Sequence, residues 1–117
     1  MTNSTKEQVE SFLNDFQTKL SIFNIFFLNR NKNIQALIDL EITAEDRLEF
    51  IKNIKPENYF NGPNLDAYDR DSPPNWEFGI IIKEHEVYIK INPGKPNKSV
   101  MCISFHIAEQ KIIYPFI

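Results

Sequence analysis

Three successive segments near the C-terminus alternate apolar and polar side chains, and this alternation constrains the fold more than any other feature of the sequence. The segments are 76–83, 86–92 and 100–107. Alternate side chains of a β-strand point to opposite faces. In each segment one parity is apolar: Phe78, Ile80 and Ile82; Val87, Ile89 and Ile91; Met101, Ile103, Phe105 and Ile107. The pattern predicts a three-stranded antiparallel meander with one covered face and one more open face.

The first turn of the meander predicts how segments 76–83 and 86–92 are paired. A tight turn at Glu84 and His85 sets apolar positions opposite apolar positions. A slip by one residue would move one strand's apolar side chains to the other face, so this register is favoured. The predicted pairs are Ile82 with Val87, Ile80 with Ile89, and Phe78 with Ile91.

The second turn, at 93–98, is longer and leaves two registers open. If Ile91 faces Ile103, then Tyr88 lies opposite His106. A shift of two residues makes Tyr88 and His106 diagonal neighbours, which still lets their side chains meet. Both registers bring the two side chains together on the open face.

The N-terminal half predicts helices that cover the apolar face of the sheet. Residues 5–20 carry apolar side chains at helical spacing, and Thr5 with Gln8 matches a capping box. Residues 21–29 are rich in Phe and Ile and predict a strand, or else an extension of the first helix. A short helix is predicted at 33–40.

A further helix is predicted to begin at Thr43, because Thr43 precedes an acidic first turn. Leu48, Ile51 and Ile54 form its buried side, and Pro56 lies at or after its end. Residues 61–75 predict a loop throughout. The fold class is therefore α+β, with N-terminal helices packed on one face of an antiparallel sheet in a single domain, 1–117.

Composition and charge argue against a membrane-spanning or secreted protein and indicate which half of the chain would meet an anion. No segment approaches the roughly 18 apolar residues that span a bilayer, and the N-terminus does not resemble a signal peptide. Cys102 is the only cysteine, which excludes an intrachain disulfide and favours the cytoplasm. Residues 1–78 hold 8 basic against 13 acidic residues, a balance of −5, whereas 79–117 hold 5 against 3, a balance of +2. The sheet half is thus the better candidate to meet an anion.

The predicted open face gathers five polar side chains: Glu77, Tyr88, Lys90, Ser104 and His106. Histidine exchanges protons near neutral pH, and lysine neutralises the charge of a phosphate. Tyrosine can hydrogen-bond a phosphate or stack on a base. These groups suit phosphodiester cleavage without a metal. A solvated sheet face, whose polar residues only keep the protein soluble, explains the same pattern.

Other candidate sites are weaker. His85 and His106 are the only histidines and do not show a metal-ligand spacing, so no metal and no cofactor is expected. Cys102 shares the predicted open-face parity with His106, but a half-buried structural thiol is the favoured interpretation. Trp76 is interpreted as a core anchor, with stacking on a base as the alternative.

The order of elements and several short motifs resemble the MqsR family of toxins from bacterial toxin–antitoxin systems. The motifs are Glu57-Asn-Tyr59, Trp76-Glu77, Glu86-Val-Tyr-Ile-Lys-Ile91 and Cys102-Ile-Ser-Phe-His106. The resemblance covers residues 5–107 in layout. It implies a fold similar to the RelE toxins, cleavage of messenger RNA without a metal, and a partner antitoxin that holds the toxin inactive.

The resemblance also implies roles for individual residues. The family's functional tyrosine in the middle strand lines up with Tyr88. Its glutamine after a tryptophan lines up with Glu77, and its lysine at the end of the last strand lines up with His106. An earlier lysine falls near Phe60 or Asn61 and has no counterpart in this chain.

The function expected from this resemblance is a sequence-selective messenger RNA endoribonuclease, acting as the toxin of a type II toxin–antitoxin system. His106 would transfer protons, Lys90 would neutralise phosphate charge, Tyr88 would contact the phosphate or leaving group, and Glu77 would be a base. The further RNA-binding candidates are Lys83, Ser104 and Trp76. The alternatives are a non-enzymatic protein-interaction module with a degenerate active site and a nucleic-acid-binding regulator that does not cut.

Overall fold

The described part of the chain forms an α+β fold of three α-helices and a five-stranded mixed sheet. The computed structural model describes residues 4–67 and 69–117; residues 1–3, and Tyr68 of the predicted loop, lie outside the described residues. The helices are α1 (Lys6–Phe23), α2 (Asn31–Leu40) and α3 (Ala44–Lys52), and a short 3₁₀ turn spans Pro56–Asn58. The strands are β1 (Ile25–Phe27), β2 (Tyr59–Asn64), β3 (Asn75–Ile82), β4 (His85–Asn92) and β5 (Val100–Ile107).

The helix starts follow the capping signals in the sequence. Thr5 and Gln8 exchange hydrogen bonds at the start of α1, which confirms the predicted capping box. Thr43 and Asp46 do the same at the start of α3, at 3.0 Å in each direction. The helix α1 continues to Phe23, as the alternative of an extended first helix predicted, and the strand predicted over 21–29 is right only for the three residues of β1.

The strand order in the sheet is β1-β5-β4-β3-β2. The meander β3-β4-β5 is antiparallel, as predicted, but β1 adds to β5 in parallel, so the prediction of a purely antiparallel sheet was wrong. The prediction of a loop throughout 61–75 was also wrong, because β2 extends through Asn64 and pairs with β3. Its Asn61-Gly62-Pro63 sequence is typical of turns, which concealed the strand.

The register between β3 and β4 differs from the prediction by two residues. Phe78 pairs with Ile89 and Ile80 with Val87. The turn consists of Lys83 and Glu84, both of which have positive φ, as a type I′ hairpin turn requires. Because the shift is two residues, every side chain keeps its predicted face.

The register between β4 and β5 brings Tyr88 opposite His106, which confirms the first of the two predicted arrangements. Ile91, however, faces Cys102 rather than Ile103, because Ile103 is the extra residue of a β-bulge. The bulge exchanges the faces of the first half of β5. Cys102 therefore joins the core at 1% exposure, and its predicted place on the open face was wrong.

One face of the sheet shares a single hydrophobic core with all three helices. We call it the core face; its fully buried residues include Phe78, Ile89 and Phe105. The helices contribute Val9, Leu13, Phe16 and Leu20 from α1, Ala36 and Leu40 from α2, and Ile51 from α3. The opposite face carries Glu77, Tyr88, Lys90, Ser104 and His106 and is called the open face. No helix within 4–67 and 69–117 is long and apolar enough to cross a membrane.

Candidate active site

Two β-bulges, one in β5 and one in β2, decide which side chains of these strands reach the open face. In β5 the bulge at Ile103 moves Cys102 to the core face, while Ser104, beyond the bulge, shares a face with Lys90, its partner across the strands. In β2, Tyr59 pairs with Phe78 and Asn61 pairs with Glu77, so Phe60 is the extra residue. Bulges re-aim side chains in this way because two residues of one strand oppose a single residue of the other.

The amide of Asn33 holds the β5 bulge in place. Asn33 lies in α2 and is 2% exposed. Its Nδ2 donates to the carbonyl oxygens of Ile103 and Leu28, and its Oδ1 accepts from the backbone N–H of Phe105, all at 3.0 Å. The strand β1 ends at Phe27, so this amide satisfies the backbone groups of β5 that a longer β1 would have paired.

The open face forms the floor of a groove of about 760 Å³. Strand residues form its floor, and the chain after β5 forms one wall. The lining residues used below are Arg30, Phe60, Asn61, Glu77, Tyr88, Lys90, Ser104 and His106, with 108–113 in the wall. All five side chains predicted for the open face therefore lie in one groove.

The wall of the groove is pinned to the sheet by Glu86. One carboxylate oxygen accepts from the backbone N–H of Ile112 at 3.0 Å, and the other accepts from the Tyr114 hydroxyl at 2.9 Å. Burial, together with this hydrogen bond, raises the pKa of Tyr114. The segment passes directly over Gly79, where a Cβ would come within 2.6 Å of Ile112. Gly79 thus permits this close approach, whereas a larger residue would force the side chains of Ile112 and Tyr114 to shift.

Both oxygens of the Glu77 carboxylate accept hydrogen bonds from neutral donors. The Tyr88 hydroxyl donates to Oε1, while the amides of Asn61 and Asn64 donate to Oε2 at 2.9 and 3.2 Å. Burial of the phenol and its hydrogen bond to Glu77 raise the pKa of Tyr88 well above its ordinary value. Tyr88 is therefore held as a neutral donor to Glu77. The negative charge of Glu77 is stabilised by hydrogen bonds from neutral groups and not by a cation.

The ammonium of Lys90 is left without a partner by this arrangement. Glu77 lies directly across the strands from Lys90. Within 4–67 and 69–117, however, Lys90 forms no ion pair or hydrogen bond. Three neutral donors satisfy the carboxylate, so the neighbouring positive charge remains available at the floor of the groove.

The imidazole of His106 is oriented by its own strand and by Tyr88. Its Nδ1 lies 3.0 Å from the carbonyl oxygen of Ile107. A carbonyl oxygen only accepts, so Nδ1 carries the proton in the neutral ring and the lone pair lies on Nε2. The rings of Tyr88 and His106 are 5.2 Å apart and inclined at 38°. The groove thus presents an imidazole whose Nε2 can accept a proton.

Two of the predicted RNA-binding residues lie away from the groove. Trp76 belongs to the core face, where its ring stacks on that of Phe12 at 4.2 Å, as the core-anchor interpretation predicted. Lys83 lies in the β3–β4 turn and donates to the carbonyl oxygen of Glu41 at 2.9 Å. Ser104 lies in the groove at 3% exposure. Burial raises the pKa of the Cys102 thiol to about 12, which argues against a nucleophilic role.

Three further groove residues, Arg30, Phe60 and Asn61, were missed as site residues. Phe60 and Asn61 belong to β2, whose turn-like sequence predicted a loop. Arg30 precedes α2 and reaches the groove only because of the tertiary fold. No cluster of His, Cys, Asp and Glu that could hold a metal ion occurs among the described residues.

Comparison with known proteins gives no relative. No family model, no curated protein and no solved structure matches the chain.

Proposed function

We propose that this chain is a RelE/MqsR-like endoribonuclease that cuts messenger RNA without a metal, as the toxin of a type II toxin–antitoxin system. A cognate antitoxin would be its protein partner, and the cytoplasm, where messenger RNA is translated, its place of action. The observation that carries the proposal is the unpaired Lys90 ammonium in the same groove as the free Nε2 of His106.

The two groups supply what cleavage of an RNA phosphodiester needs. Nε2 of His106 accepts the proton of the 2′-hydroxyl as its oxygen attacks the adjacent phosphorus. The bond from phosphorus to the 5′-oxygen breaks, leaving a cyclic 2′,3′-phosphate. The Lys90 ammonium offsets the negative charge that develops on the phosphate and gives a proton to the departing 5′-oxygen. Exchange with water then restores both side chains.

Glu77 and Tyr88 act in this proposal as positioning residues. Both oxygens of Glu77 already accept hydrogen bonds, which disfavours the role of base that the sequence suggested. The Tyr88 proton is committed to Glu77, so its ring serves to hold the imidazole beside it. The pair also keeps the carboxylate from neutralising Lys90.

The two histidines offer a matched test. Purified wild-type protein, His106→Gln and His85→Gln are incubated with messenger RNA in the presence of a chelator, and products are resolved on a gel. We expect His106→Gln to lower the cleavage rate by about 10²- to 10⁴-fold, the usual contribution of a general base. His85, exposed at the start of β4, should be dispensable.

The product ends provide a second criterion. Wild-type cleavage should leave a cyclic phosphate and a 5′-hydroxyl. Intact RNA with the wild type, or equal cutting by both histidine variants, would sink the assignment of His106. In the first case, the non-enzymatic interaction module becomes the better account.

A further inference from the structure

Three rings form a row along the floor of the groove. The centroid of Phe60 lies 5.9 Å from that of Tyr88, and Tyr88 lies 5.2 Å from His106. All three side chains are only half-buried and line the groove. The row therefore leads from the proposed cleavage position at His106 towards β2.

Phe60 is at one end of this row because of the β2 bulge. Its neighbour Tyr59 is fully buried on the core face, with its ring against Phe78 and Phe116. Phe60 instead lies in the groove, which is lined by polar residues such as Asn61 and Glu77 and by apolar residues of the wall such as Ile113. Among the described residues, Phe60 belongs neither to the hydrophobic core nor to the partly buried residues packed against it, so packing in the core does not account for its ring.

We propose that Phe60 is a base-stacking subsite, which holds a nucleobase of single-stranded RNA next to the nucleotide that is cut. The inference rests on the proposed function for the position of the cut, and it gives to Phe60 the base-stacking role that the sequence had suggested as the alternative for Trp76. A single strand of RNA combines a flat base with a charged phosphate. The groove combines a ring at Phe60 with the positive charges of Lys90 and Arg30.

The order of Phe60, Tyr88 and His106 along the groove indicates which nucleobase would stack on Phe60. His106 and Lys90 act on the scissile phosphate, and Tyr88 separates His106 from Phe60. The base on Phe60 therefore belongs to a neighbouring nucleotide rather than to the attacking one. Stacking on aromatic rings tolerates every base, so this subsite contributes affinity and placement more than sequence selection.

The test uses a short 2′-O-methyl RNA, which cannot be cleaved and so reports on binding alone. A 2-aminopurine base, whose fluorescence is quenched by stacking, replaces each base in turn. The variants are Phe60→Leu, which keeps apolar bulk without a π-face, and Phe60→Tyr, which restores the ring. Phe26→Leu is the control, because Phe26 is a 56% exposed phenylalanine outside this groove. Circular dichroism checks that each variant is folded.

We expect quenching at one position of the RNA with the wild type and with Phe60→Tyr. Phe60→Leu should abolish it and weaken binding by about tenfold or more. Phe26→Leu should change neither. Unaltered RNA binding by Phe60→Leu would overturn the proposal. It would favour a side chain of a partner protein as the group that packs against the Phe60 ring. Absence of cleavage of natural RNA, with ring-dependent quenching retained, would refute the nuclease but leave the subsite standing.

Discussion

The two faces of the sheet come from the same strands but differ in how their side chains are satisfied. On the core face, Phe78, Ile89 and Phe105 are each fully buried against other apolar groups. On the open face, Glu77 has three donors, while Lys90, across the strands, has no partner among the described residues. One face stabilises the fold; the other leaves a charge available for a ligand.

This difference teaches where to look for function in a small α+β domain. Satisfied apolar packing accounts for the core face without any ligand. An unpaired ammonium beside a carboxylate that is compensated by neutral groups is not explained by stability, because a direct Lys–Glu pair would have been the simpler arrangement. The comparison can be tested by changing each face separately.

The largest expected effect on stability comes from the core face. Ile89→Ala removes a fully buried side chain and should lower the free energy of unfolding by about 2–5 kcal/mol. Urea denaturation followed by circular dichroism measures it. The matched control is Ile81→Ala, since Ile81 is 63% exposed and should change stability by no more than about 0.5 kcal/mol. Similar losses in both variants would contradict the division into two faces.

An intermediate loss of stability is expected on replacement of Asn33, whose amide bonds to the backbone of β5 next to both faces of the sheet. Asn33→Ala leaves the N–H of Phe105 and the carbonyl of Ile103 without partners, at a cost of about 1–3 kcal/mol. Because the N–H of Phe105 lies between Ser104 and His106 in the strand, RNA cleavage should fall as well. Gln35→Ala, at an exposed position of the same helix, is the control for the same urea titration. An Asn33 variant as stable as this control would show that the amide does not hold the bulge.

A smaller effect on the core face should appear at alkaline pH. Burial raises the pKa of the Cys102 thiol from about 9 to about 12. A raised pKa in the folded state gives stability that is complete below pH 9 and is lost as the pH rises towards 12. From pH 8 to pH 10 the thiol should account for a loss of roughly 1.4 kcal/mol.

The control for this titration is Cys102→Ala, which keeps the tyrosines that also titrate at high pH. Its unfolding free energy should fall less steeply than that of the wild type over the same range. Parallel curves for the two proteins would mean that the thiol does not ionise on unfolding, contrary to its buried position.

Periodicity predicted the core face well, because burial on one side of a strand imposes a period of two. It assigned the side chains of β3 and β4 to the correct faces of the sheet even though the predicted register was wrong by two residues. A shift of two residues leaves each side chain on the same face. The capping box at Thr5 and the helix start at Thr43 are local signals, and both were predicted from the sequence.

The site was only partly readable because two bulges decide its composition. Alternation alone cannot show that Ile103 is an extra residue, and it therefore assigned Cys102 to the wrong face. Phe60 was not predicted as a groove residue, because it is the extra residue of a second bulge, in a strand whose sequence is typical of a turn. The pairing of Tyr88 with His106 was predicted, because it lies on the regular side of the β5 bulge.

The central claim is that the unpaired Lys90 ammonium binds an RNA phosphate, and affinity as a function of salt tests it most directly. An uncleavable 2′-O-methyl RNA is titrated with wild type, Lys90→Met and Lys83→Met at several salt concentrations. Lys83 is the matched control, because its ammonium already bonds to Glu41 outside the groove. The account predicts that Lys90→Met binds about 10-fold or more weakly and lowers the salt slope by about one, while Lys83→Met behaves as the wild type. Equal losses from both lysines, or no loss from Lys90→Met, would contradict it.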